Sequence, residues 1–229
     1  MCQFFSALVL KNGDVLHHPQ LDSHADLVTY FKLPDGNAHV QHFAKVELLP
    51  ASDWLDVSTW VFRVDEPVLP GWWGEIANQA EASVRAIAKR MVLATGIHPL
   101  LCDGAWILGG DVAVGEIRAG ARIVRVQDTA TIRAVWGGTF SAVKGGTFSD
   151  VRGGTFSAVW GGTFSDVWGG TFSDVRGGTF SDVWGGTFSA VSGGTFSDVW
   201  GGTQIIGPVG RYANLDDSAQ QFVIKRAAK

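Results

Sequence analysis

From Val135 to Thr203 the large apolar positions recur every eight residues in the phrase V-x-G-G-T-F-S-[A/D]. The units run Trp136–Val143, Lys144–Val151, Arg152–Val159 and onward to Trp200–Thr203, with nine Gly-Gly pairs at one spacing. A short fixed period means one small unit stacked on its copies, each too small to bury its own apolar face. A helix is excluded, because two glycines in every eight residues cost roughly 2 kcal/mol per repeat relative to alanine. Disorder is excluded by the strict return of Phe and Val. The remaining reading is a β-solenoid. Phe140 and Val143 then point inward, and Thr139 and Ser141, flanking Phe140, point outward because side chains alternate along a strand. A small residue stands two positions before each Phe, where it leaves room for rings of neighbouring coils, and Gly137-Gly138 eases a corner. Ala121-x-Ile123-x-x-Val126 and Ala130-x-Ile132-x-x-Val135 are looser versions of the same phrase. The solenoid therefore is expected to begin near Asp111, with Gln127 as a one-residue insertion.

Two octads per coil give a flat stack with a sixteen-residue turn; three give a triangular one. At sixteen, Asp150, Asp166, Asp182 and Asp198 fall in one column and Ala142, Ala158, Asp174 and Ala190 in the other. At twenty-four those columns mix, although Trp136, Trp160 and Trp184 line up. The cleaner columns favour sixteen. Counted from Asp111, that predicts about six coils and a rod of ~28 Å.

The preceding stretch has no repeat and reads as an α+β domain. Phe4–Leu10 and Val15–His18 flank an Asn12-Gly13 hairpin turn. Asp22-Ser23 caps a helix over Ala25–Phe31, and Pro34-Asp35-Gly36 is a turn. Strands are expected over His39–Leu49 and Thr59–Val64. A longer helix opens at Pro70-Gly71 and runs to about Leu93, with Ile76, Ala80, Val84, Ile87 and Met91 at helical spacing, ended by Gly96 and Pro99. The expected division is an α+β domain over 1–100, a solenoid over 101–206 and a cap over 207–229, whose Phe222-Val223-Ile224 would cover an open sheet edge.

Composition narrows the function classes. With 229 residues, 46% of them hydrophobic, the chain has ample material for a core. A formal net charge of −4, spread along the sequence, offers no basic patch and argues against direct nucleic-acid binding. Cys2 and Cys102 cannot make a disulfide framework and fit a reducing compartment. The start lacks a basic leader region and no apolar run approaches membrane-spanning length. A soluble cytoplasmic protein, with no membrane contact, is the expectation.

The alternation of small and large inward residues resembles pentapeptide-repeat and other short-repeat β-solenoid proteins. More closely, the octad behind the start Met-Cys-Gln-Phe-Phe-Ser resembles uncharacterised octad-repeat proteins of phages and bacteria. That resemblance implies a fold and brings no activity with it. The five-residue spacing of the pentapeptide family is absent, so none of its functional residues carries over.

Candidate chemistry is sparse. Gly145-Gly146-Thr147-Phe148-Ser149-Asp150 superficially matches a calcium-binding nonapeptide, but the period is eight and alternate coils lack the Asp that calcium needs. The aspartates read instead as turn formers. Thr139, Ser141, Thr155, Ser157, Thr171, Ser173, Thr187 and Ser189 would stack into hydroxyl ladders, which resemble the ice-binding faces of antifreeze solenoids. The Asp column suggests a DNA mimic, diluted by Lys144, Arg152 and Arg176. Trp136, Trp160, Trp168, Trp184 and Trp200 shield the corners or form an aromatic contact surface. Cys2 could act as an N-terminal nucleophile after loss of Met1, but its neighbours read as a plain strand and a buried structural cysteine is the better reading. His39 and His42, or His17, His18 and His24, lack accompanying ligands at metal spacing and read as surface histidines. No catalytic residue, metal or cofactor is expected. The expected function is a non-enzymatic scaffold that offers regular ladders to a protein partner, or associates with itself through its ends. Ice binding is the alternative, and a DNA-mimic inhibitor the third reading.

Overall fold

In the computed structural model, residues 5–34, 42–200, 203–206 and 211–212 are described. The expectations placed on Cys2, on the Asp35-Gly36 turn, on His39 and on the cap over 207–229 fall wholly or largely outside those residues. The chain divides between Val92 and Leu93 into two compact units.

The first unit carries a four-stranded antiparallel sheet in the order β2-β1-β3-β4, from β1 (Ser6–Leu10), β2 (Val15–Leu16), β3 (Phe43–Leu49) and β4 (Val61–Val64). The hairpin stands where Asn12-Gly13 places it: Gly13 has φ 87°, a left-handed value that glycine adopts freely. Helix α1 (His24–Tyr30) starts after Ser23 and buries Leu27 and Val28, which meet Leu8 and Phe43 in the core. Helix α2 (Trp73–Met91) buries Trp73, Ala80, Val84, Ala88 and Met91. Ile76 and Ile87, expected on the apolar face, are only half-buried.

The second unit is a parallel β-solenoid of about seven turns with sixteen residues per turn. Strands β5 (Val92–Leu101), β6 (Ala105–Ile117), β7 (Arg122–Val126) and β8 (Thr131–Val135) lead into the regular part. There, β9 (Thr139–Val143), β11 (Thr155–Val159), β13 (Thr171–Val175) and β15 (Gly186–Ser189) form one face. The other face holds β10 (Thr147–Val151), β12 (Thr163–Val167), β14 (Thr179–Val183) and β16 (Thr195–Val199). Thr147 pairs with Thr163 and Thr163 with Thr179, which fixes the sixteen-residue turn. Strands β17 (Thr203–Ile206) and β18 (Arg211–Tyr212) complete the described ladder.

Three expectations need correction. The solenoid starts earlier than Asp111: β6 pairs β7 through Ala105–Leu108 and β8 through Ala113–Ile117, so a single strand bends around both faces. Below it β5 pairs with β6, so a strand runs through Gly96 and Pro99, the residues expected to end α2. Pro99 is tolerated there because an edge strand can spare one N–H. Second, the register shows an insertion besides Gln127, since Ile117 and Arg122 are five apart where Val135 and Thr139 are four apart. Third, the second glycine of each pair is demanded by backbone, not by Phe rings. Gly154 and Gly170 have φ 102° and 107°, and a Cβ on Gly170 would meet the carbonyl oxygen of Gly154 at 3.2 Å.

Inside, the rings form two ladders. Phe140, Phe156, Phe172 and Phe188 stack face to face at centroid spacings of 4.3–4.4 Å. Phe148, Phe164, Phe180 and Phe196 do the same at 4.5–4.7 Å. The ladders meet edge to face, as Phe164 and Phe172 do at 5.8 Å and 85°. Every ring thus has both favoured aromatic geometries. All eight are fully buried, and the valine columns close the core beside them. Ile123 and Ile132 continue the ladders downward, as the looser phrases imply.

Candidate functional site

The sixteen-residue turn sorts the variable residue before each Gly-Gly pair into two edges. After β8, β10, β12, β14 and β16 stand Trp136, Arg152, Trp168, Trp184 and Trp200. After β9, β11, β13 and β15 stand Lys144, Trp160, Arg176 and Ser192. The five tryptophans, 37–51% exposed, therefore do not make one surface. Trp168, Trp184 and Trp200 stack in line, at 5.2 and 4.8 Å and within 9° of parallel. Trp136 lies apart from that stack, with the Arg152 guanidinium 4.7 Å from its ring centre. Trp160, on the opposite edge, has the Lys144 ammonium 3.9 Å from its ring centre and the Arg176 guanidinium at 5.8 Å. Such contacts are each worth about 0.5–1 kcal/mol on an exposed surface.

The aspartates follow the same sorting. Asp150, Asp166, Asp182 and Asp198 are in register on the face that leads to the tryptophan stack. Arg152 binds Asp150 through its Nε at 2.8 Å, and Arg176 likewise binds Asp174. From Thr163 to Trp200 no lysine or arginine stands on this face or in its edge column. Stacked tryptophans with a parallel line of carboxylates two residues before them thus form an aromatic, acidic strip.

The opposite face carries the hydroxyl ladder. Thr139, Thr155, Thr171 and Thr187 are in register, with Ser141, Ser157, Ser173 and Ser189 beside them. All are exposed except Thr187 and Ser189, which are half-buried. Ala142, Ala158 and Ala190 leave this face with Asp174 as its one carboxylate in those coils, so it is the less charged of the two. A second ladder, through Thr147, Thr163, Thr179 and Thr195, shares its face with the aspartates.

In the first unit the three neighbouring histidines do not converge. His17 stacks on Phe5 at 4.3 Å, His18 packs against Tyr30 at 4.5 Å, and His24 is buried. His42 is exposed. Cys102 is exposed and carries a free thiol. A groove of about 370 Å³ runs between α2 and the turn at Val57–Thr59, lined by Asp56, Arg85 and Lys89 among others. Arg85 is tied down by Glu81 and by the carbonyls of Val57 and Trp60, so it acts as a clamp for that turn. Hydrogen bonds from Ser58 hold the Asp56 carboxyl below its ordinary pKa.

No protein-family model, curated protein or solved structure matches this chain. The coils show a β-solenoid, and no match ties it to a particular repeat family. Among the described residues no helix is long and apolar enough to cross a membrane.

Proposed function

We propose that this chain is a non-enzymatic binding scaffold whose acidic, aromatic strip engages a partner rich in lysine and arginine. The observation that carries this reading is the in-register pair of columns, Trp168–Trp184–Trp200 and Asp166–Asp182–Asp198. Cations already sit against Trp136 and Trp160 within the chain, which illustrates the contact a basic partner would make. Tryptophan dominates binding hot spots because it buries a large rigid surface at low entropic cost. The adjoining carboxylates add steering that weakens with salt. Capture of a partner from the source cells, repeated with that partner purified, tests this. Trp184→Ala should weaken binding at least tenfold, and raising salt should weaken it further. Full binding by Trp184→Ala would refute the strip as the site.

The hydroxyl-bearing face supports a second reading, ice binding, because its Thr and Ser columns are in register and nearly free of charge. Thermal hysteresis by the purified chain, abolished by Thr171→Tyr at unchanged melting temperature, would favour it. Normal ice growth would exclude it.

A further inference from the structure

We propose that His24, Glu47 and Asp65 form a binding site for a divalent transition metal, best suited to Zn²⁺, in the first unit. The fold gathers them from three separate places: the first residue of α1, the body of β3 and the residue after β4. The Asp65 N–H donates to the Lys45 carbonyl at 2.8 Å, which continues the β3–β4 pairing and sets Asp65 beside β3. Glu47 is two residues beyond Lys45 and so shares its side of the strand. One ligand atom from each of the three side chains lies within 4.8 Å of the other two.

The geometry of His24 decides the chemistry. Its ring is buried, with Nε2 3.0 Å from the Val46 carbonyl and Nδ1 3.2 Å from Oδ2 of Asp65. A carbonyl can only accept, so Nε2 carries a proton and donates it. An imidazole held to a backbone carbonyl through one nitrogen presents the other, correctly oriented, to a metal. In that tautomer the Nδ1 lone pair faces a carboxylate oxygen, an arrangement that needs a positive charge between them. A metal ion at that point would engage Glu47 as well as Asp65. Glu47 brings another carboxylate to the same point, and among the described residues it has no ion pair. Its cross-strand neighbour Arg63 is exposed, and Lys45 is only half-buried. One imidazole and two carboxylates make a ligand set that suits Zn²⁺ with water in the fourth position, whereas Ca²⁺ and Mg²⁺ prefer oxygen throughout. The ion would fasten the start of α1 to two strands.

The test uses the full chain, stripped with a chelator and titrated calorimetrically with ZnCl₂. One Zn²⁺ should bind per chain. Glu47→Gln and Asp65→Asn, whose side chains reach solvent, should each weaken binding by about tenfold or more while leaving circular dichroism unchanged. Co²⁺ in place of Zn²⁺ should give a visible ligand-field spectrum that Asp65→Asn alters. His24→Ala should abolish binding, and if it fails to fold the two carboxylate variants still decide. No Zn²⁺ binding by the intact chain, or wild-type affinity in either carboxylate variant, overturns the proposal.

Discussion

The two units stabilise their chains in opposite ways. In the first, the core is not repeated: Leu8 comes from β1, Leu27 and Val28 from α1 and Phe43 from β3. In the second, one contact recurs up the stack: Phe156, for example, stacks on Phe172 sixteen residues away and meets Phe148 and Phe164 across the core. A singular core is cooperative, so losing one member loosens all of it. A repeated core behaves as a chain of nearest neighbours, so a lesson learned at one coil holds at the next.

Loss of a large ring should separate these behaviours most sharply. Phe43→Ala and Phe172→Ala each remove a fully buried ring and should cost about 3–5 kcal/mol. Hydrogen exchange should show protection lost over β1, β3 and β4 together for the first. For the second, loss should concentrate in β11, β13 and β15, with β8 still protected. Uniform loss along the whole solenoid after Phe172→Ala would show that the coils are not independent.

A smaller effect tests the corners. Gly170→Ala should cost about 2 kcal/mol, because φ of 107° is strained for any residue with a Cβ. Gly74→Ala on α2, where a Cβ meets nothing within 4 Å, should instead be neutral or stabilise by up to about 1 kcal/mol. Urea melts of both variants measure the contrast, and equal losses would refute the backbone explanation of the Gly-Gly pairs. The smallest effect belongs to the outward face: Thr171→Val should move stability by no more than about 0.5 kcal/mol. A severe loss would mean that inside and outside have been exchanged.

The repeat made much of this readable in advance. Phe and Val at fixed offsets announced the interior, and the Asp columns announced the sixteen-residue turn. The residues of β5 were hidden because they carry no octad, whereas β6 lies within the solenoid expected over 101–206. Strand β5 joins the stack through backbone approach, as a Cβ on Gly110, 2.5 Å from the Ala94 carbonyl oxygen, would show. The division of the tryptophans between two edges followed from the same turn length, yet alignment of Trp136, Trp160 and Trp184 at twenty-four residues pointed elsewhere. His24 stood out in sequence only as a neighbour of His17 and His18, and Glu47 and Asp65 not at all, since no sequence spacing reveals that a helix start, a strand and a strand end converge.

The arrangement of the tryptophans, rather than their number, is what the binding proposal rests on. Exchanging residues between the edges, as Trp184→Ser with Ser192→Trp, keeps the composition but breaks the stack between Trp168 and Trp200 and moves one ring to the other edge. Affinity for the partner, measured at an unchanged melting temperature, should fall as far as in Trp184→Ala. Retention of wild-type affinity would contradict the strip as the binding surface.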